Sequence, residues 1–246
     1  MIEVTHVDHM GKDLSVANAA RVSFGKKSDL DWSDPWSPPK LKGKDAKLIR
    51  YLAKHEHISP FGHCFASFHI KAPVFVARQL VKHKFLRWNE ISRRYVNNEP
   101  EFFIPADWRE KSDDKKQGSG TGFVNELPQD DSEDYASDKG YLVDHWTTNT
   151  TRYVEDNIYY PALHTYREML DAGVCPEQAR MVLPQSMMTE WYWSGSLDAF
   201  ADMCNLRCKP DTQAETRFVA DAISEEMEKL FPVSWEALTK EKDDGR

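Results

Sequence analysis

The order of apolar and polar residues predicts one small sheet and several helices. Residues 2–7 (IEVTHV) and 63–72 (HCFASFHIKA) alternate as strands do, and Ala66, Phe68 and Ile70 share one face of the second strand. Helical spacing predicts helices over 14–21, 45–55, 74–81, 153–172, 176–182, 196–206 and 211–231. Elements in this mixed order predict an α+β fold: a small, mainly antiparallel sheet flanked by helices, with a helical C-terminal half.

Single residues within these helices have specific predicted roles. Asp45 is expected to cap the second helix, Pro161 to kink the helix over 153–172, and Gly173 to close that helix. Val81 and Phe218 are placed on the apolar faces of their helices, so both are expected in the core.

Polar segments interrupt the pattern at 29–44 and 109–139. The first contains Pro35, Pro38 and Pro39 and is predicted to be a loop. The second is acidic and contains Gly and Ser, which predicts a polar surface insertion within a single domain spanning residues 1–246. Its GSGTG run resembles a phosphate-binding loop, but no strand pattern precedes it and no helical pattern follows it. A dinucleotide site is therefore not expected there.

Composition excludes several classes of protein. The 246 residues include 40 Asp and Glu against 32 Lys and Arg, a net charge of −8, which argues against a general nucleic-acid coat. No apolar run approaches the roughly 18 residues that a membrane helix needs, and the N-terminus lacks an export signal. The four cysteines form no CxxC pair and are expected to be reduced thiols of a cytoplasmic protein. Neither they nor the histidines have companion ligands at metal-binding spacing, so no metal site is expected.

One segment departs from this acidic balance. Residues 82–94 (KHKFLRWNEISRR) hold five Lys and Arg and one His, mixed with an amide, a carboxylate and a hydroxyl, directly after an apolar helix. The mixture favours a small ligand that has both a phosphate and hydrogen-bonding edges, because Arg binds phosphate through two parallel bonds. Two alternatives remain: a solvated surface loop, and a single-strand nucleic-acid module in which Trp88 and Tyr95 stack on bases. Arg180 and Arg207 are further candidates for an anion, or simple partners of helix dipoles.

The same segment resembles the signature of the flavin-dependent thymidylate synthases, which is Arg-His-Arg, a spacer, Ser and commonly Arg-Tyr. This chain has KHK, the seven residues FLRWNEI, Ser92 and then Arg93-Arg94-Tyr95. Other blocks resemble family segments in the same order: DHMGKDLSVANAARVSF, HEHISPFGH, FHIKAPVFVARQ, EQARMVLP, TEWYW and NLRCKPDTQ. The resemblance covers most of the chain outside 29–44 and 109–139.

The resemblance implies reductive methylation of dUMP to dTMP, with methylenetetrahydrofolate as carbon donor and NADPH-reduced FAD as hydride donor, in a homotetramer with shared active sites. Arg207 would face the pyrimidine and be catalytic. The residues implied to bind dUMP are Gln79, Lys82, Glu90, Ser92, Arg93, Arg94, Arg180 and Arg207. Those implied to contact FAD are His57, Ser59, Lys82, His83, Lys84, Glu90, Ser196, Asp198 and Asp202.

The chain departs from the family pattern at several of these positions. Lys82 and Lys84 replace arginines, so forked contacts to FAD become point-charge contacts. Arg87 stands where a small residue is usual, and Asp202 and Asp211 replace a common Asn and His. Arg87 and the two lysine substitutions motivate a near alternative, a dUMP hydroxymethylase with the same fold. A nucleophilic Ser92 is not expected, because no His is placed in sequence to activate it.

Overall fold

The computed structural model describes residues 1–96, 98–112, 118–127 and 149–239. Its contacts group the chain into two compact units. Unit 1 comprises Met1, Ala72–Arg78 and Glu90–Glu190, and unit 2 comprises Ile2–Lys71, Gln79–Asn89 and Trp191–Arg246. The single domain with a polar insertion at 109–139 stays a prediction.

The described residues form four strands and a larger set of helices. Strands β1 (Glu3–Met10), β2 (Phe65–Pro73), β3 (Leu86–Glu90) and β4 (Met188–Ser196) make one sheet in the order β1-β2-β4-β3. The α-helices are α1 (Asp13–Arg21), α2 (Gly43–Lys54), α3 (Val74–Leu80), α4 (Thr150–Val154), α5 (Tyr160–Asp171), α6 (Pro176–Ala179), α7 (Leu197–Arg207), α8 (Ala214–Leu230) and α9 (Pro232–Thr239). Short 3₁₀ helices span Val22–Phe24, Ser59–His63 and Arg180–Val182. The prediction of an α+β fold with a small antiparallel sheet and helices is confirmed.

The first two strands follow the predicted alternation. β1 and β2 are antiparallel, from Glu3 opposite Lys71 to Met10 opposite Phe65, with one irregularity between His6 and Asp8. On β2 the predicted face, Ala66, Phe68 and Ile70, is buried. The period of two in the sequence therefore groups these buried residues of β2 correctly on one face.

Strands β3 and β4 were not predicted from the sequence. Burial along β4 does alternate, because Trp191 and Trp193 are buried and Tyr192 is exposed. Trp88 of β3 stacks on Trp191, with ring centroids 4.5 Å apart and planes 18° apart. The alternation is hidden in TEWYW because both faces carry aromatic residues, and in β3 because charged residues surround Trp88.

The core of unit 2 joins the sheet to its helices. Phe200 of α7 meets Phe68 and Trp193 edge-on, with centroids 5.3 and 5.6 Å away. The buried Asp13 of α1 accepts the N–H groups of Val233 and Ser234 at 3.0 and 2.8 Å. A carboxylate thus satisfies the free N–H groups at the start of α9.

The capping prediction for Asp45 is wrong. Helix α2 begins earlier, at Gly43, and Asp45 is fully buried. Its carboxylate accepts from Arg21 Nε at 2.8 Å and from Ser28 Oγ at 2.5 Å. The side chain is therefore engaged by a distant arginine, a tertiary contact that helix-capping rules do not include.

The placements of Val81 and Phe218 in the core are also wrong, since these residues are 47 % and 53 % exposed. Helix α3 ends at Leu80, so Val81 lies beyond its apolar face. The buried stripe of α8 passes beside Phe218: it includes Thr216 and Val219 and continues through Ile223 and Met227.

In unit 1 the predicted kink takes the form of a π-helical turn, Glu155–Tyr159, between α4 and α5. The Tyr160 N–H bonds to the Glu155 carbonyl, five residues back, immediately before Pro161, which has no N–H to donate. Gly173 has φ +86° after the end of α5, which confirms its predicted closing role. Among the described residues, no helix is both long and apolar enough to cross a membrane.

Candidate functional site

Residues 82–85, which begin the basic segment, and one side of α7 line a cavity within unit 2. Its volume is about 370 Å³. The lining residues are Lys82, His83, Lys84, Phe85, Ala199, Asp202, Leu206 and Arg207. Four residues implied to contact FAD thus share one cavity with the residue implied to be catalytic. The volume lies at the small end of the range for ligand sites, so it suits part of a dinucleotide cofactor.

Arg207 is held in this cavity by two contacts. Its Nε donates to His83 Nε2 at 3.1 Å, and its Nη2 donates to the Gln79 carbonyl oxygen at 3.4 Å. Gln79 is fixed in turn by its side-chain bond to Gln213, at 2.5 Å. These contacts use two of the five N–H donors of the guanidinium, so the remaining three can face a ligand.

His83 is kept neutral by the same arrangement. Partial burial, and then the charge of Arg207, lower the pKa of His83 from its usual value. A neutral ring with its proton on Nδ1 can accept the Arg207 N–H at Nε2, which agrees with the observed contact.

Two carboxylates lie one helical turn apart on α7. Asp198 Oδ1 is buried and has no hydrogen-bond partner among the described residues. Partial burial, and then the charge of Asp198, raise the pKa of Asp202. Carboxylates disfavour phosphate but accept hydrogen bonds from hydroxyl or amine groups, so the pair fits the ribose or adenine of FAD. Ser196, also implied to contact FAD, is buried and precedes α7 without capping it through its side chain.

A larger cavity of about 830 Å³, also in unit 2, contains His57 and Ser59. Phe24 and Tyr51, which were not predicted as site residues, also line it. The rings of Tyr51 and His57 are nearly parallel, with planes 16° apart and centroids separated by 6.3 Å. Arg21, held by the buried Asp45, also lines the wall. Aromatic walls with one fixed cation suit a flat ring that carries polar edges.

The resembling blocks contained a signal for these missed residues. Phe24 and Arg21 belong to ARVSF, at the end of the first block. The 3₁₀ helix Ser59–His63 lines the larger cavity and lies against α7, because a Cβ on Gly62 would be 3.9 Å from Asp198 Oδ1. The elements that line the two cavities are therefore in contact.

Unit 1 contains a separate cluster of residues implied to bind dUMP. Arg94 forms an ion pair with Glu177, and Arg180 Nε donates to the Glu177 carbonyl oxygen at 3.4 Å. Ser92 begins the turn that presents Arg94, since Ser92 Oγ accepts the Arg94 N–H at 3.3 Å. Both arginines therefore contact Glu177, Arg94 through its carboxylate and Arg180 through its backbone carbonyl.

Two further implied residues of unit 1 are engaged with the protein. Glu90 accepts from Thr189 Oγ1 at 2.7 Å. Arg93 is buried and donates to the Asn98 backbone carbonyl and, at 3.1 Å, to Asn98 Oδ1. Their roles in dUMP binding stay predictions.

The structure weakens the single-strand nucleic-acid alternative and shows how one amide of the GSGTG run is used. Trp88 already stacks on Trp191 and meets Trp193 edge-on, so its ring is committed to the protein interior more than to bases. In the GSGTG run, the Gly122 N–H donates to Glu110 Oε1 at 2.8 Å. A carboxylate of the chain thus occupies one donor that a phosphate loop would need.

The thymidylate synthase complementing protein family, Thy1, matches residues 5–233 of the chain. The chain belongs to this family. Flavin-dependent thymidylate synthases of Thermus thermophilus and of Kosmotoga olearia are 36 % and 37 % identical to this Thy1 chain over 232 residues. The alignments cover 94 % of this chain and 73 % and 87 % of those relatives, respectively.

Solved structures of one enzyme are similar to this chain over most of its length. The chain is similar to the UMP/dUMP methylase PolB from Streptomyces cacaoi bound with 5-Br dUMP, with a TM-score of 0.71 and 28 % identity over 97 % of this chain and 95 % of that one. The same enzyme bound with 5-Br UMP gives a TM-score of 0.73 at 28 % identity, covering 97 % and 94 % of the two chains.

Proposed function

We propose that this chain is a flavin-dependent thymidylate synthase that converts dUMP to dTMP. Methylenetetrahydrofolate is the carbon donor, and NADPH reduces the bound FAD. The observation that carries the proposal is the cavity in which Arg207 lies beside Lys82, His83 and Lys84, in a chain that matches Thy1 over residues 5–233.

Arg207 supplies the positive charge that the reaction requires. FAD, when bound and reduced, supplies the hydride. The fixed guanidinium stabilises negative charge that develops on a uracil carbonyl, because it needs no reorientation during the reaction. Neutral His83 positions Arg207 without adding its own charge to those of the lysines and the arginine in the cavity. The carbonyl of Gln79 limits the rotation of the Arg207 guanidinium.

The residues of unit 2 fit FAD in separate ways. Lys82 and Lys84 provide point charges for its phosphates. Asp198 and Asp202 provide acceptors for its hydroxyl or amine groups, and the unpartnered Asp198 Oδ1 needs such a donor. The aromatic wall formed by His57 and its neighbours suits a flat ring.

In unit 1, Arg94 and Arg180 bind the dUMP phosphate in this proposal. Arginine forks match phosphate oxygens, and the Ser92 hydroxyl is a further donor. The Glu177 carboxylate contacts Arg94 and therefore competes with the phosphate for that cation.

The assembly and location rest on the family resemblance. A homotetramer with shared active sites and a cytoplasmic location stay predictions. Phe24 and Tyr51 support the first, because both line the larger cavity and are 78 % and 55 % exposed in the single chain. Light scattering of the purified protein measures the subunit number.

The decisive experiment combines the absorption spectrum with product analysis. The purified protein should be yellow, NADPH should bleach it under anaerobic conditions, and dUMP with methylenetetrahydrofolate should restore the colour. Mass analysis should show dTMP, whereas a product heavier by one oxygen atom would indicate the hydroxymethylase. UMP should be assayed in parallel, since PolB is a UMP/dUMP methylase. A colourless protein that does not bind dUMP would reject the proposal.

A further inference from the structure

Phe85 has a backbone conformation that its side chain disfavours. Its φ is +62°, in the left-handed region, and the residue is 80 % exposed. Bulky residues rarely adopt positive φ, because the Cβ approaches the following carbonyl oxygen. Burial of the ring does not compensate for this strain, since most of the residue is in contact with solvent.

The sheet holds the backbone of Phe85 in place. Phe85 immediately precedes β3, and Gly195 of β4 lies against it. A Cβ on Gly195 would be 2.9 Å from the Phe85 carbonyl oxygen and would also overlap the side chain of Leu86. A glycine on β4 therefore permits the close approach that keeps the turn at Phe85 in this conformation.

This turn places Phe85 in the wall of the 370 Å³ cavity. Lys82, Lys84 and Asp202 line the same cavity. An apolar ring, two cations and a carboxylate match the aromatic ring, the phosphates and the hydroxyl or amine donors of a nucleotide. Strained residues concentrate at ligand sites, where surrounding structure maintains them.

We propose that Phe85 is a cofactor-binding residue whose ring packs against a flat heteroaromatic ring of the nucleotide cofactor, either flavin or adenine. The inference rests on the proposed function, because it assigns a further contact for the FAD of that function. It differs from the family resemblance, which implied roles for Lys82, His83 and Lys84 but none for Phe85.

The test compares Phe85→Asn with Phe85→Tyr. Asparagine tolerates the left-handed region and removes the ring, whereas tyrosine keeps both the ring and the strain. Titration of the apoproteins with FAD, followed by flavin fluorescence, measures the affinity of each. Phe85→Asn should bind FAD about 5- to 100-fold more weakly, as expected for the loss of one stacking partner, and Phe85→Tyr should bind it as the wild type does.

Two further measurements separate ring packing from a structural role. The thermal midpoint of apo Phe85→Asn should be unchanged or higher by up to about 4 °C, because strain is relieved. FMN and ADP, titrated separately, show which ring is contacted, since only the ligand that contains that ring should lose affinity.

The outcomes have distinct meanings. Equal FAD affinity for Phe85→Asn and the wild type would overturn the inference while leaving the proposed function intact. A lower midpoint, or a changed subunit number in light scattering, would also overturn it, by showing that the ring stabilises the fold or an interface. Failure of the wild-type protein to bind FAD at all would instead count against the proposed function.

Discussion

Replacing Arg207 by glutamine tests the central group of the candidate site. The guanidinium is anchored by His83 at 3.1 Å and by the Gln79 carbonyl at 3.4 Å, with three donors left for a ligand. Glutamine retains an amide donor on a shorter side chain, but it has no charge. The substitution therefore removes the stabilising charge and leaves Lys82 and Lys84 in the cavity.

The expected loss of turnover is large and the loss of stability is small. Removing one preorganised donor from developing negative charge lowers kcat by about 100- to 1,000-fold. The contacts with His83 and Gln79 lie in a half-buried site, so their loss should cost about 1–2 kcal/mol of unfolding free energy. FAD affinity should change little, because the two lysines remain to pair with its phosphates.

Histidine NMR provides a readout that is independent of turnover. The charge of Arg207 is the second cause, after burial, of the lowered pKa of His83. In Arg207→Gln the pKa of His83 should therefore rise towards its usual value while remaining below it.

Matched variants complete the assay. Arg207→Lys retains the charge without the fork and should recover part of the turnover. Arg50→Gln breaks an exposed pair with Glu236 and should leave turnover and the His83 titration unchanged. Full turnover by Arg207→Gln, measured by flavin reoxidation in the presence of dUMP, would refute the role assigned to Arg207.

Three further predictions concern His83, Glu177 and Asp45. The pKa of His83 is lower in the folded state than in the unfolded state. Its contribution to stability is therefore complete above about pH 6.5 and is lost as the pH falls towards the folded-state pKa. The unfolding free energy falls by no more than about 1.4 kcal/mol per pH unit from this cause. Urea unfolding between pH 7 and 5 should show this slope, and His83→Gln should flatten it. Glu177→Gln should tighten dUMP binding by up to about fivefold, as measured by calorimetry, because an exposed ion pair with Arg94 is worth at most about 1 kcal/mol. Weaker binding would mean that Glu177 positions Arg94 for the phosphate. Asp45→Asn should lower the unfolding free energy by about 3 kcal/mol, because it leaves the Arg21 cation without its buried carboxylate. The urea m-value should not change. A loss of less than about 1 kcal/mol would contradict this expectation.

Local periodicity was sufficient for elements whose two faces differ in polarity. Spacing placed Ala66, Phe68 and Ile70 on one face of β2, and all three are buried. Trp191 and its neighbours in β4 gave no such contrast, because the outward-facing Tyr192 is aromatic as well. Periodicity therefore did not predict strands in which the buried face and the exposed face carry similar side chains.

The candidate site shows the same limit at longer range. The chemistry of KHK and the resembling blocks were sufficient to select Arg207 and the basic segment. The contact between Arg207 and His83 joins residues 124 positions apart in the chain. Its partner atoms depend on where α7 ends relative to the basic segment. So does the lowered pKa of His83, which burial causes first and the charge of Arg207 second.

The amino-acid sequence alone determined the family, the fold class and the residue types available for anion and cofactor binding, because these depend on local pattern and on motif order. Only the tertiary structure decided which charges are paired, which are buried and which backbone positions are strained. Arg94 meets Glu177, Asp45 meets Arg21, and Phe85 takes a left-handed conformation beside Gly195. Each of these depends on distances between segments remote in sequence, and electrostatic and packing energies change steeply with such distances.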